Sequence, residues 1–201
     1  SEKPQQVGAA KSPTLAPKAP VALPLAAKPV TSTSIIYSYA THAGTKLSAN
    51  ADSLFVSSQP PLFAIADGIG EGHAAAEAAR LTVNLLADVT AGSEHSVDPQ
   101  TIRGKLGTVN SLLLSRQVGE GALRPGASVV AASIFNQTIT VLWSGDARAY
   151  LLRDGTMHPL TRDHVIVGMK RTLAQYIGHS QQFRPDIIRE NWGWSDRLLL
   201  C

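Results

Sequence analysis

The stretch Trp143–Leu151 reads WSGDARAYL, and it places Asp146 after an apolar run and next to a glycine. Phe63–Gly70 reads FAIADGIG and does the same with Asp67. A carboxylate at the end of a buried strand is costly unless something neutralises it, and hard divalent cations do so through carboxylate, carbonyl and water oxygens. Because Asp-Gly is also a common turn pair, two interpretations stand at this point: turn-forming aspartates and a divalent metal site.

Two long helices are predicted between these stretches. Apolar residues recur at helical spacing over His73–Val89 and over Pro99–Gln117, and Asp98 is placed to cap the second helix. The many alanines on one face of the first helix predict close packing on a sheet. A further short helix is expected within Val165–Gly178.

Strands are predicted on both sides of the two helices. Tight hairpins are expected at Asn136-Gln137 and at Asp154-Gly155, and a sharp turn is expected after Asp67. The predicted strands are Ser34–Ala40, Ser53–Ser57, Leu62–Ala66, Ser128–Phe135, Thr138–Ser144, Ala149–Arg153, Thr156–His158, Ile187–Asn191 and Arg197–Cys201. This order predicts an α+β fold in which helices pack on antiparallel sheets.

Residues 1–33 predict a flexible Pro/Ala/Lys-rich tail or linker ahead of one globular domain over residues 34–201. Proline removes donors and blocks helices, and alanine is too small to build a core. A proline-rich docking segment is the alternative, although no clear P-x-x-P context supports it. The prolines of this segment are Pro4, Pro13, Pro17, Pro20, Pro24 and Pro29.

The formal net charge of +3 lies in that tail. Residues 1–33 hold four lysines and one glutamate, a net of +3, so residues 34–201 balance at zero. A neutral body without a basic stripe argues against a nucleic-acid partner. No apolar run approaches the ~18 residues needed to span a membrane. The single cysteine, Cys201, fits a reducing compartment, so a cytoplasmic location is expected.

Five elements of the body resemble, in order, those of the metal-dependent protein phosphatases, also called the PPM or type-2C family. They are a D-G-x-G strand at Phe63–Gly70, a G-T/S-T/S start at Gly126–Ser128, a G-D-S-R-a-Y element at Trp143–Leu151, an L-T-x-D-H element at Leu160–His164, and a g-D-x-L-L-L-C strand at Asp196–Cys201. The last two elements are individually distinctive. The resemblance covers roughly residues 38–201, which is the whole body.

This resemblance implies an α-β-β-α sandwich, with two antiparallel sheets, helices on both outer faces, and a two-metal Mn²⁺ or Mg²⁺ site at one end. By the same likeness, Asp67 is the catalytic residue that bridges both metals, and the Gly68 carbonyl binds one of them. Asp52 acts through metal-bound water, and Asp146 belongs to a further metal site. The implied reaction is hydrolysis of phosphoserine or phosphothreonine in a phosphoprotein by a metal-activated water, without a protein nucleophile.

The segment that grips the phosphate departs from the family pattern G-x-x-R-x-x-N-E-D. Residues 44–52 read GTKLSANAD, so Leu47 stands in place of the phosphate-binding arginine and Ala51 in place of a glutamate. Leucine offers no bidentate fork to a phosphate. Lys46 is a weak substitute, because a regular strand turns it to the opposite face. Ile69 replaces a histidine that some members use as an acid.

The family pattern continues after the position of Cys201 with S-D-G and a later D-N, which supply further metal ligands and strands. We therefore expect a domain that lacks its C-terminal strands and is completed by a missing segment or by another chain. Three functions stay open: a metal-dependent Ser/Thr phosphatase, a catalytically impaired phosphatase-like regulatory or protein-binding module, and a fragment without a function of its own. The retained Asp52, Asp67 and Asp146 favour the first. Leu47, Ala51 and the missing carboxylates favour the second.

Overall fold

The computed structural model of the chain describes residues 35–44, 50–93, 95–116, 119, 123–169 and 172–201. The predicted tail 1–33 lies outside these residues. Their secondary structure follows the predicted order of strands, two helices, and strands again. The elements are β1 (Asp52–Ser58), β2 (Pro61–Ile69), α1 (Gly72–Thr90), α2 (Pro99–Ser115), β3 (Gly126–Phe135), β4 (Thr138–Ser144), β5 (Ala149–Arg153), β6 (Thr156–Pro159), β7 (Asp186–Asn191) and β8 (Arg197–Leu200).

The strands form two antiparallel sheets, one of five strands in the order β1-β2-β3-β4-β7 and one of three in the order β6-β5-β8. One face of the five-stranded sheet is covered by α1 and α2, and the other face packs on the three-stranded sheet. The predicted α+β class, with two antiparallel sheets and flanking helices, is confirmed. Within the described residues, both helices lie on the five-stranded sheet and none covers the outer face of the other sheet.

The central strand β3 shows why the sandwich has two separate cores. Its first nine residues are all buried, because alternate side chains face opposite layers. Val129 and Ala131 pack with the helices, whereas Val130 and Ala132 pack with the three-stranded sheet. A run of small and β-branched residues therefore fills both layers.

Helix α1 packs closely on the sheet because its inner face is built from alanine. Ala78 and Ala79 are completely buried, and a Cβ on Gly68 of β2 would lie 2.2 Å from the carbonyl oxygen of Ala75. The predicted close packing of this helix is confirmed. The start of α1 is thereby fixed against the strand that carries Asp67.

The two predicted hairpins are also confirmed. Asn136 and Gln137 join β3 to β4 with φ of 47° and 56°, and Asp154 and Gly155 join β5 to β6 with φ of 50° and 74°. These left-handed conformations suit the right-handed twist of the strands that they connect.

Three local predictions were wrong. Residues 35–40 form no strand, and Ile36 is 95% exposed, so these β-forming residues have no partner strand among the described residues. The described part of 165–178 contains turns and two isolated bridges in place of a helix, with positive φ at Gly168 and Gly178. The strand β2 continues past Asp67 to Ile69, so the sharp turn comes only at Gly70, where φ is 127°.

Candidate metal site

Three side chains form a row across the end of the five-stranded sheet. Asp52 on β1 is the register partner of Asp67 on β2, and Asp67 is the register partner of Ser128 on β3. Directly opposed residues of antiparallel strands point to the same face, so the two carboxylates and the hydroxyl lie side by side. The sequence predicted both aspartates as site residues, and the sheet brings them together.

The electrostatics of this row are unfavourable for Asp67. Partial burial, the negative charges of Asp52 and Asp146, and a side-chain hydrogen bond with Asp52 raise the pKa of Asp67 from 3.8 to about 6. Asp146 therefore lies near enough for its charge to act on Asp67, although Asp146 follows β4 and Asp67 lies on β2. A raised carboxyl pKa of this origin marks negative charge that the surrounding protein does not neutralise.

The turn that carries Asp146 is held on one side by Ser128. The buried Ser128 hydroxyl accepts hydrogen bonds from the backbone N–H groups of Asp146 and Ala147, both at 2.8 Å. Gly145 has φ of 107°, and a Cβ there would lie 2.3 Å from Ser128 Oγ. Glycine is thus required before Asp146, because the turn is pressed directly against the serine.

The same turn is held on its other side by His164. Gly145 N–H donates to His164 Nδ1 at 3.1 Å, and His164 N–H donates to the Gly145 carbonyl at 2.9 Å. The imidazole stacks on Trp143 with ring centroids 6.0 Å apart. The sequence identified the L-T-x-D-H element by resemblance but assigned no role to its histidine.

The other residues of the L-T-x-D-H element fasten it to β5. Thr161 accepts the Ala149 N–H at 3.0 Å, and Arg148 binds both carboxylate oxygens of Asp163, at 2.7 and 2.5 Å. The hydrogen bond from Arg148 lowers the pKa of Asp163. The L-T-x-D-H element and the Trp143–Leu151 element therefore bind each other and hold the Asp146 turn in place.

The oxygen atoms at this end of the sheet are of the type that binds hard divalent cations. Carboxylate oxygens of Asp52, Asp67 and Asp146 and the nearby backbone carbonyls are the ligands that Mg²⁺ and Mn²⁺ take, and Mg²⁺ commonly keeps several waters beside one or two carboxylates. The described residues contain no group of three or more His, Cys, Asp or Glu side chains close enough to hold a metal on their own. The row can supply some of the ligands of a cation whose remaining coordination positions are filled by water or by groups from elsewhere.

The sequence also predicted a residue that binds the substrate phosphate. Lys46 and Leu47 both lie outside the described residues, so the proposed use of Lys46 stays a prediction. Ala51, which stands at the glutamate position of the family pattern, contributes its carbonyl oxygen to a hydrogen bond from Gly68 N–H at 3.1 Å. This bond continues the pairing of β1 and β2 beyond Asp52 and Asp67.

The opposite end of the sandwich contains a contrasting carboxylate. Asp196 is paired with Arg153, whose guanidinium binds both its oxygens at 3.0 and 2.6 Å, and it also accepts the Gly193 N–H at 2.7 Å. The register of β5 and β8 places Leu200 beside Ala149 near the Asp146 turn, so the start of β8 lies at the far end. Hydrogen bonds from Arg153 lower the pKa of Asp196.

Comparison with known proteins assigns the family. A family model described as protein phosphatase 2C matches residues 39–167. The chain belongs to the protein phosphatase 2C family. It is 30% identical over 163 residues to the serine/threonine phosphatase stp of Listeria welshimeri and 26% identical to its counterpart in Listeria monocytogenes. These matches cover 70% of this chain but only 65% of each relative's length.

Solved structures show the same fold. PppA, titled a key regulatory component of T6SS in Pseudomonas aeruginosa, superposes with a TM-score of 0.73 at 25% identity, covering 80% of this chain and 73% of its own. The serine/threonine phosphatase of S. agalactiae gives 0.70 at 25% identity, covering 80% and 76%. The catalytic domain of PstP, solved with 2 manganese ions, gives 0.67 at 22% identity, covering 80% and 74%.

None of the helices in the described part of the chain is long and apolar enough to cross a membrane.

Proposed function

We propose that this domain is a Mn²⁺- or Mg²⁺-dependent protein phosphatase that hydrolyses phosphoserine and phosphothreonine. The observation that carries the proposal is the register pairing of Asp52 with Asp67, together with the raised pKa that their charges and that of Asp146 give Asp67. Membership of the protein phosphatase 2C family and the names of the Listeria relatives support it. The expected cytoplasmic location stays a prediction.

In this proposal Asp67 and the Gly68 carbonyl hold the catalytic metals, Asp52 orients their water ligands, and Asp146 serves a further metal. When bound, such cations activate a water molecule for attack and offset the charge of the phosphoryl group. The protein's own contribution is to keep the carboxylates in one row by strand pairing and to fix the Asp146 turn. The 2 manganese ions of the PstP neighbour support this choice of cation.

The partners of this site are proposed as well. The substrate is a phosphoprotein, because the site lies at an open end of the sandwich where Asp52 and Asp146 are exposed and the partly buried Asp67 also reaches solvent. Further metal ligands come from a segment beyond this sequence or from another chain, since three aspartates leave most coordination positions free. Strand β8 is at the edge of its sheet, where an additional strand can pair with it.

The test is Mn²⁺-stimulated hydrolysis of a phosphothreonine peptide by the protein and by two aspartate variants. We expect Asp67→Asn to lower the rate at least about 100-fold, more than the loss of an outer-shell partner of a metal costs. Asp154→Asn is the matched control, because it makes the same chemical change at an exposed turn far from the row. It should keep the wild-type rate.

Two results would overturn the phosphatase proposal. One is hydrolysis that chelation with EDTA does not abolish. The other is the absence of metal-stimulated hydrolysis from both this domain and the complete protein, which would leave the regulatory or binding module as the function.

A further inference from the structure

We propose that His164 is a positioning residue for Asp146, acting through Nδ1 as the acceptor of the Gly145 N–H. This inference rests on the proposed function only for the metal-binding role of Asp146. The hydrogen bond itself belongs to the fold and can be tested without turnover.

The acceptor matters because the Gly145 N–H is buried and cannot readily bond to water instead. Gly145 is buried, has a φ of 107°, and leaves no room for a Cβ beside Ser128. A buried backbone N–H without a partner costs more than an ordinary hydrogen bond contributes. The turn would therefore change its conformation, or let water in, if His164 offered no acceptor at this position.

The imidazole is held so that Nδ1 faces Gly145. Its Nε2 lies 3.3 Å from Asp186 Oδ2, and its ring stacks on Trp143 with an interplanar angle of 12°. Since Nδ1 accepts a hydrogen bond, the tautomer that fits this arrangement carries its proton on Nε2, and that N–H donates to the Asp186 carboxylate. Asp186 is in turn the register partner of Trp143, so β4 and β7 together orient the ring.

The backbone fixes the histidine as firmly as the side chain does. His164 N–H donates to the Gly145 carbonyl at 2.9 Å, and the His164 carbonyl accepts the Ala174 N–H at 2.7 Å. Gly145 is thus bound at both its N–H and its carbonyl by one residue, while Ser128 binds the next two N–H groups. Four hydrogen bonds leave the Asp146 backbone little freedom to move away from Asp67.

The experiment compares His164→Asn with His164→Gln. Asparagine places its amide oxygen near the position of Nδ1, whereas glutamine reaches the position of Nε2. Both variants lose the ring that stacks on Trp143, so they differ mainly in whether Gly145 keeps its acceptor. Hydrogen exchange of the Gly145 amide is followed by NMR in the metal-free protein, and Mn²⁺ binding is measured by calorimetry.

We expect the Gln variant to speed Gly145 exchange about tenfold, as the loss of one partner of a buried donor implies. Its Mn²⁺ affinity should fall about tenfold, a typical cost of removing an outer-shell partner. The Asn variant should stay within about threefold of the wild type in both measurements, since its acceptor is retained. The melting temperatures of the two variants should be similar.

Equal acceleration of Gly145 exchange in both variants would overturn the role of Nδ1, as would an unchanged rate in the Gln variant. Faster exchange in the Gln variant with unaltered Mn²⁺ affinity would overturn the link to Asp146. Absence of Mn²⁺ binding from both this domain and the complete protein would instead refute the proposed function, and the exchange rates would still decide the role of His164.

Discussion

Asp67 and Asp196 lie at opposite ends of the same sandwich and have opposite electrostatic environments. The Asp196 side chain is only 2% exposed, and Arg153 and the Gly193 N–H satisfy its oxygens. Asp67 has two other carboxylates as neighbours, and its pKa rises to about 6 where that of Asp196 falls. One end therefore uses a carboxylate to hold the fold together, whereas the other keeps uncompensated charge, as functional sites commonly do.

The glycines of the two ends differ in the same way. Gly155, in the far hairpin, has open space where a Cβ would stand, and its positive φ serves the turn alone. Gly68 and Gly145 are pressed against Ala75 and Ser128, so they are small because the backbone of the site is crowded. Crowding at the site end fixes where its carboxylates lie.

The largest expected effect on stability comes from removing Asp196, the carboxylate that stabilises the far end of the sandwich. Asp196→Ala removes the carboxylate that accepts from Arg153 and from the Gly193 N–H, and Arg153 keeps its bond to the Asn191 carbonyl. We expect the free energy of unfolding in urea to fall by about 2–3 kcal/mol. Mn²⁺ binding should be unaffected, because the change is remote from the row. The control is Asp154→Asn, which should stay within about 0.5 kcal/mol. A loss as small as that for Asp196→Ala would contradict its structural role.

A smaller effect is expected from adding one methyl group at the site end. In Gly68→Ala the new Cβ would meet the backbone of Ala75, so α1 must shift, and we expect a loss of about 1–3 kcal/mol in unfolding free energy. The matched control is Gly104→Ala in α2, where a Cβ meets nothing and alanine should add about 0.5–1 kcal/mol. Equal effects of the two substitutions in urea unfolding would contradict the close approach of α1.

The smallest expected effect is a gain in stability when the charge of Asp67 is removed. With a pKa raised to about 6, Asp67 binds its proton more tightly in the folded than in the unfolded protein, so metal-free stability falls as pH rises from about 4 to about 6. Asp67→Asn removes this penalty, which solvent screening reduces because Asp67 reaches solvent, and should raise the melting temperature in EDTA at pH 7.5 by about 2–4 °C. The gain should vanish near pH 4. A variant less stable than the wild type at pH 7.5 would show that Asp67 is structural.

Much of the fold could be predicted because local pattern and packing agree. The alanine-rich face of α1, the Asp98 cap of α2 and the two hairpins all follow from short-range chemistry. Residues 35–40 have strand-forming side chains, but strand pairing depends on a partner that local sequence does not specify. The loop over 165–178 was also mispredicted, because a bridge between Val165 and Leu173 and a bridge from Ile177 to Ala127 of β3 decide its path.

The site could be predicted only in part. The resemblance identified Asp52, Asp67 and Asp146, and strand pairing then placed the first two side by side. The hydrogen bonds of Ser128 and His164 to the Asp146 turn were missed, although both residues lie in recognised motifs. Such contacts join residues 18 or 19 positions apart, and no periodicity along the chain reveals them.

The most direct test of a metal site in this row is a calorimetric titration of the metal-free protein with Mn²⁺, beside Asp67→Asn and the control Asp154→Asn. The account predicts saturable binding to the wild type and to the control, with affinity weakened at least about tenfold in Asp67→Asn. Equal Mn²⁺ affinity in all three proteins, or no binding to the wild type, would contradict it.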